Sequence, residues 1–195
     1  PVSHLTPRTA PRRGAAGLAL PGTACRIVDP GTGAVRGPGE RGELWVKGPQ
    51  VMLGYLNAPD ATAEAIDGDG WLRTGDLAAI DADGYLFVHD RVKELIKVSG
   101  FQVAPAEVEA ALLEMEGIAD AAVLGVPDAE AGERPVAFIV PADPPPGDAA
   151  IAAHLEGRLA HYKHPSRIER VEAIPRSASG KILRKVMAER LDAPA

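Results

Sequence analysis

Three polar segments carry more chemistry than a soluble fold requires. The first, Gly70-Trp71-Leu72-Arg73-Thr74-Gly75-Asp76, ends a strand-forming run on a carboxylate. An ionised carboxylate only accepts hydrogen bonds, so when held just after a glycine it can take two from vicinal hydroxyls, such as those of a ribose. The competing use of such an Asp is to satisfy nearby backbone amides in a turn. The second segment runs from Asp90 to Val103 and sets Arg91, Lys93 and Lys97 ahead of Gly100 and Gln102. Its cations can meet phosphates, and Gly100 can let a ligand approach the backbone closely. A solvated charged hairpin is the plainer alternative. The third segment, Pro175 to Lys185, places Lys181 at the tip of a small-residue loop that leads into a helix. A flexible loop can carry a point charge to a site where negative charge develops. Against this stands a mobile surface loop that caps the helix. A phosphate-binding Gly–Lys loop is excluded, because its two glycines around four residues are absent.

The rest of the composition narrows the field. With 27 acidic against 21 basic residues the net charge is −6, and no Lys/Arg block stands out, so nucleic acid and anionic membranes are poor partners. Cys25 alone excludes a disulfide framework and a Cys-rich zinc site, and it reads as a small buried hydrophobe. His4, His89, His154, His161 and His164 show no helical metal-ligand pair with a supporting carboxylate, so no metal site is expected. No Ser-His-Asp set is suggested. No apolar run reaches the roughly 18 residues of a membrane span and no signal peptide is visible, so a cytoplasmic location is the expectation. The sequence begins at Pro1, which reads as processing or as an excerpt from something longer.

The elements that must position these residues fall into two stretches. Pro1 to Gly22 reads as an irregular connection. Strands are expected at residues 24–28 and 43–47, and a hairpin joins 77–80 to 85–88 through Asp81-Ala82-Asp83-Gly84. A short helix is expected over 60–66 with Asp60 as its N-cap. Beyond Arg91 helices and strands alternate. Pro105 opens a helix striped by Val108, Ala111, Leu112 and Met115 and ended by Gly117. Strands at 121–126 and 136–140 are each stopped by a proline, and a third is expected at 168–171. Ile151, Leu155 and Leu159 stripe one further helix; Leu183, Val186, Met187 and Leu191 stripe the last. The expected fold is α+β, with a mostly β part over 1–90 and a small α/β part over 91–195.

Several longer motifs then occur in a telling order. Glu40-Arg41-Gly42-Glu43-Leu44-Trp45-Val46-Lys47-Gly48 precedes Gly54-Tyr55-Leu56-Asn57, and the three polar segments follow with Gly100-Phe101-Gln102-Val103-Ala104-Pro105 between them. From about Gly22 to Leu191 the chain resembles the adenylate-forming superfamily of acyl-CoA synthetases, luciferases and peptide-synthetase adenylation domains. It looks closest to the coumarate–CoA ligase and luciferase-like branch. His89, and Val98-Ser99 in place of an aromatic–lysine pair, depart from that branch's pattern.

The resemblance implies a partial β-barrel from the end of a large N-terminal domain, joined to a complete C-terminal lid. It implies ATP, Mg2+ and coenzyme A as cofactors, a small carboxylic acid as substrate, and metal ligands that lie upstream of this sequence. In residues, it implies that Asp76 and Arg91 hold the nucleotide ribose and that Lys93 is the hinge of a rotating lid. Lys181 would serve adenylation, and Lys97, Gly100 and Gln102 would serve thioester formation and the CoA channel. A carrier-protein-loading or luciferase-type enzyme remains an alternative, as does a non-catalytic interaction module. The phosphate loop and acyl pocket are not in the sequence, so this chain alone is expected to be inactive. Apolar surface left bare by their absence would favour self-association, at its simplest a homodimer.

Overall fold

The computed structural model describes residues 2–191, and the chain divides into two compact units between Lys93 and Glu94. In the first unit the opening stretch is less irregular than expected, since β1 (His4–Leu5) and β2 (Leu18–Ala19) pair antiparallel. The chain then lays down β3 (Ala24–Val28), β4 (Gly42–Lys47), helix α1 (Pro59–Ala65), β5 (Leu72–Ile80) and β6 (Leu86–Arg91). The four later strands form an antiparallel sheet in sequence order. Alternation explains the buried face. Leu44 and Val46 point into a core with Ile27, Ala78 and Leu86, while Glu43, Trp45 and Lys47 face the other way. The Asp81 turn closes the β5–β6 hairpin, its Oδ1 accepting from the amides of Asp83 and Tyr85. Helix α1 differs from expectation: Ala58 is its N-cap, Pro59 its first residue, and Asp60 sits within the first turn.

The expected partial barrel is not formed. The sheet runs β3-β4-β5-β6 as an open ribbon, and among the described residues β3 and β6 are not paired with each other. Four strands are too few to curl around a filled interior, which takes about eight. The α+β class holds; the closure does not.

The second unit contains β7 (Ile96–Val98), β8 (Phe101–Val103), α2 (Pro105–Leu113), β9 (Ile118–Asp128), β10 (Gly132–Pro141), α3 (Asp148–Glu156), β11 (Arg167–Arg170) and α4 (Arg184–Leu191). Its sheet is mixed. β10 pairs antiparallel with β9 and β7 and parallel with β11, and β7 pairs antiparallel with β8. The apolar runs at 121–126 and 136–140 lack polar alternation because both faces of the β9–β10 hairpin are covered. Ala121, Val123, Ala137 and Ile139 meet Val108 and Leu112 of α2 and Ile151 and Leu155 of α3. Ala122, Leu124, Val136 and Phe138 meet Ile174, in the connection after β11, and Met187 of α4. Pro127 does not stop β9, which continues to Asp128 with Pro127 opposite Glu133. Helix α2 ends at Leu113, ahead of Gly117.

Leu112 is fully buried where α2 meets the sheet. Leu112→Ala is expected to destabilise the second unit by about 2–5 kcal/mol through lost apolar transfer and a residual cavity. Urea unfolding followed by circular dichroism measures this; Trp45 and Trp71 both lie in the first unit, so tryptophan fluorescence is the wrong probe.

Candidate functional site

In the first unit Asp76 and Arg91 stand opposite one another across β5 and β6. Arg91 Nε lies 3.0 Å from Asp76 Oδ1, and its Nη1 donates to Thr74 O at 3.3 Å. The two predicted ribose-binding residues are thus each other's partners, with Asp76 half-buried and Arg91 exposed.

Two register breaks bring them there. Glu43 pairs with Leu77 and Trp45 with Arg73, so residues 74–76 bulge out opposite Leu44 alone. On the other side Leu77 pairs with Asp90 and Ala78 with Val88, which makes His89 an extra residue in β6. Bulges of this kind re-aim side chains and cluster near active sites. The bulge is pinned by Thr74 Oγ1 donating to Leu44 O at 2.8 Å and by Gly75 N donating to Glu43 Oε1 at 3.1 Å. Gly75 takes φ +73°, which a side chain would resist. The motif's tryptophans brace the same surface. The Arg26 guanidinium sits 4.7 Å from the Trp45 ring and 4.1 Å from the Trp71 ring, and Arg73 covers Trp45 at 4.9 Å.

Lys93 lies exposed in a single 3₁₀ turn, Val92–Glu94. In the second unit Lys97 and Gln102 face each other across β7 and β8, and both are exposed. Ser99 and Gly100 form the two-residue turn between them, with φ +48° and +85°, the signature of a type I′ hairpin. That geometry by itself accounts for a glycine at 100. The hairpin is tied down by Ser99 N donating to Ala131 O at 2.7 Å and by Lys97 N donating to Glu133 Oε2 at 2.7 Å. Phe101 stacks on Tyr162 with ring centroids 4.4 Å apart.

Lys181 is exposed and follows a closed turn. Gly180 N donates to Ser177 O at 2.9 Å, Ser177 N to Lys181 O at 2.8 Å and Lys181 N to Ser177 Oγ at 3.2 Å. The expectation of a loose loop therefore gives way to an internally bonded one.

The remaining candidates are ordinary. His154 Nε2 bonds to Ala111 O at 2.9 Å and His164 Nε2 to Leu159 O at 3.2 Å. Cys25 is half-buried, and burial pushes its thiol pKa up. Among the described residues no group of three or more His, Cys, Asp or Glu side chains is placed to hold a metal ion. Nor is any helix there long and apolar enough to cross a membrane.

Two family models match the chain, that of the AMP-binding enzyme over residues 1–56 and that of the AMP-binding enzyme C-terminal domain over residues 107–181; Lys181 falls within the second, and the candidate residues from Asp76 to Gln102 lie between the two. The chain belongs to the adenylate-forming, AMP-binding enzymes. It is 47% identical over 179 residues to 4-coumarate–CoA ligase-like 2 of Arabidopsis thaliana, covering 91% of this chain and 32% of that protein. It is 48% identical over 175 residues to peroxisomal OPC-8:0-CoA ligase 1 of the same plant, covering 89% and 32%. Among solved structures, ATP-bound MatB from Rhodopseudomonas palustris matches with a TM-score of 0.85 and 38% identity, over 91% of this chain and 35% of that one. The o-succinylbenzoate–CoA synthetase MenE from Bacillus subtilis, in complex with its acyl-adenylate OSB-AMP, matches with a TM-score of 0.82 and 37% identity, over 93% and 36%. The chain thus spans about a third of the length of the curated relatives it matches.

Sequence reasoning missed the residues that support the candidate ones. It gave no role to Glu43, Thr74 or Asp128, yet Glu43 and Thr74 satisfy backbone groups around Asp76, and Asp128 accepts from the amides of Glu130 and Ala131. Asp128 holds the turn whose Ala131 carbonyl receives Ser99. Its carboxyl is held below the ordinary 3.8 chiefly by the Ala131 amide, with partial desolvation opposing and the Glu130 amide and Arg134 assisting. A lowered folded value means the stabilisation is present above about pH 4 and is lost as acid protonates the group. Asp128→Asn is expected to be less stable than wild type at neutral pH and to converge with it as the pH falls below about 4. Urea midpoints across that range check it.

Proposed function

We propose that the whole protein is an AMP-forming acid–CoA ligase and that this chain supplies its nucleotide-facing strand pair and its lid. The observation that carries the reading is 45–48% identity, over most of the chain, to relatives named as CoA ligases. In the first half-reaction a carboxylate oxygen attacks the α-phosphorus of ATP and pyrophosphate leaves. In the second, a thiol sulfur attacks the acyl carbon and AMP leaves.

Asp76 accepts from the ribose hydroxyls, and Arg91 holds that carboxylate in line while adding positive charge beside the nucleotide. Lys181 meets the charge that develops on the α-phosphate and the attacking carboxylate, where a fixed cation is worth most. Residues 1–90 belong to the end of the large domain and residues 91–195 form the lid. Lys93, exposed in its 3₁₀ turn, is the hinge whose backbone torsions absorb the rotation between steps. Lys97, Gly100 and Gln102 form the edge that faces the adenylate and the thiol in the second step. Mg2+ accompanies ATP, and its protein ligands are expected outside these residues.

The acid is an aromatic or fatty carboxylate, in keeping with relatives named for 4-coumarate and for OPC-8:0. A cytoplasmic location is part of this proposal, although one relative is named peroxisomal.

Substrate-dependent ATP–pyrophosphate exchange tests the reading. The full-length protein, given a panel of aromatic and fatty acids, is expected to exchange with at least one and to form its CoA thioester. Residues 1–195 alone are expected to give none. Turnover by the isolated chain, or a full-length protein inert with every acid, would sink it. Asp76→Ala is expected to raise the KM for ATP about tenfold, the loss of a charge-assisted hydrogen bond.

A further inference from the structure

Lys181 stands between two arginines, five residues after Arg176 and three before Arg184. The three cations are used differently. Among the described residues Lys181 has no ion-pair partner, whereas both arginines are fully engaged. Arg176 Nη2 donates to both carboxylate oxygens of Asp120 at 2.9 and 3.0 Å, and its Nη1 reaches back to Gly180 O at 3.1 Å. One guanidinium therefore joins the residue just before Lys181 to the start of β9.

Arg184 does the same from the other side. Among the described residues β9 pairs only with β10, so the backbone of its other edge needs partners. At Val123 those partners are side chains. The Val123 amide donates to Glu109 Oε1 at 2.8 Å, and the Val123 carbonyl accepts from Arg184 Nε at 3.1 Å. Arg184 Nη2 closes the ring on Glu109 at 2.7 Å, and Nη1 lies 2.9 Å from Glu94 Oε2. Glu94 is the residue after Lys93. The helix that begins just past Lys181 is thus bonded to the edge strand, to α2 and to the first residue of the second unit.

A rigid, forked guanidinium suits such holding, and a single ammonium suits delivery of a point charge. We propose that Arg176 and Arg184 are positioning residues for Lys181: together they clamp its turn to β9 so that the ammonium reaches the adenylation site in one fixed geometry. This rests on the adenylation role given to Lys181 above. The clamp matters for the step that uses Lys181 and not for the thioester step, which uses the Gly100 edge.

The test uses the full-length ligase and measures both half-reactions: ATP–pyrophosphate exchange, and thioester formation from supplied acyl-adenylate and CoA. Arg176→Ala is expected to lower adenylation kcat about 10- to 100-fold, the scale of a misplaced catalytic group. Thioester formation should change by less than about twofold, and Arg176→Lys should recover part of the loss. Asp120→Ala, which breaks the same pair from its far end, should reproduce the effect, and the double variant should lose no more than either single one. Arg184→Ala should show the same selectivity, with melting curves to confirm that α4 stays folded; if it unfolds, the Arg176–Asp120 cycle decides. Equal losses in both half-reactions would overturn the proposal, as would full adenylation by Arg176→Ala and Asp120→Ala beside a crippled Lys181→Ala. A Lys181→Ala enzyme that still adenylates normally would remove the role of Lys181 itself, and the clamp with it.

Discussion

In the second unit the antiparallel pairing of β9 with β10, from Ile118 to Pro141, is the support from which every candidate residue is hung. Its two faces are both apolar and both covered, by α2 and α3 on one side and α4 on the other. Such a sheet cannot slip by one residue, because the slip would exchange the side chains between two differently shaped layers. Its ends and its free edge are therefore fixed reference points. Asp120 at one end holds Arg176, Val123 on the edge holds Arg184, and Glu133 beyond the turn holds the backbone of Lys97. The charged residues reach solvent, while their anchors lie on the sheet.

The first unit solves the same problem with less core. Its sheet is open and short, so Asp76 is fixed by local irregularity in place of burial. The bulge at residues 74–76 takes the chain out of the ladder, and Thr74 and Glu43 satisfy the backbone groups that the bulge would otherwise leave unpaired. The Trp45–Arg26–Trp71 stack stiffens the surrounding strands without adding a hydrophobic cluster. Under the proposed reading this explains why the motif is long: Asp76 meets the ribose, and its neighbours hold Asp76.

Much of this was legible in the residues and some was not. Strand alternation in Gly42–Lys47, the Asp81–Gly84 hairpin turn and the stripe through Val108 and Leu112 are local signals, and the structure follows them. The failures share a cause. A proline reads as a strand end, but Pro127 stays in β9 because its place in the pairing tolerates a missing donor. Asp60 reads as a cap, but Pro59 already fixes the first helical turn. The barrel came from resemblance and not from any count of strands in this chain. The turn before Lys181 read as flexible because its small residues have weak local preferences; it is closed by bonds among Ser177, Gly180 and Lys181, and the arginines on either side meet Asp120 and Glu109, 56 and 75 residues away. Bonds at that separation leave no local pattern.

The chain spans about a third of the length of its relatives, and that bounds what it can encode. The chain is nearly equally similar to relatives named for different acids, 47% to a 4-coumarate–CoA ligase-like protein and 48% to one named for OPC-8:0. A segment that contacted the acyl group would diverge with that group's size and polarity, since a pocket discriminates through apolar contact and unpaired polar atoms. The candidate residues are instead the Asp76 carboxylate, the Arg91 guanidinium, the ammoniums of Lys93, Lys97 and Lys181, and Gly100 and Gln102, all suited to ribose, phosphate and thiol. Those groups do not change from one acid to the next. Under the proposed reading, the structure in this chain is therefore built to keep charge in register with a common nucleotide, and acid selection belongs to residues outside it.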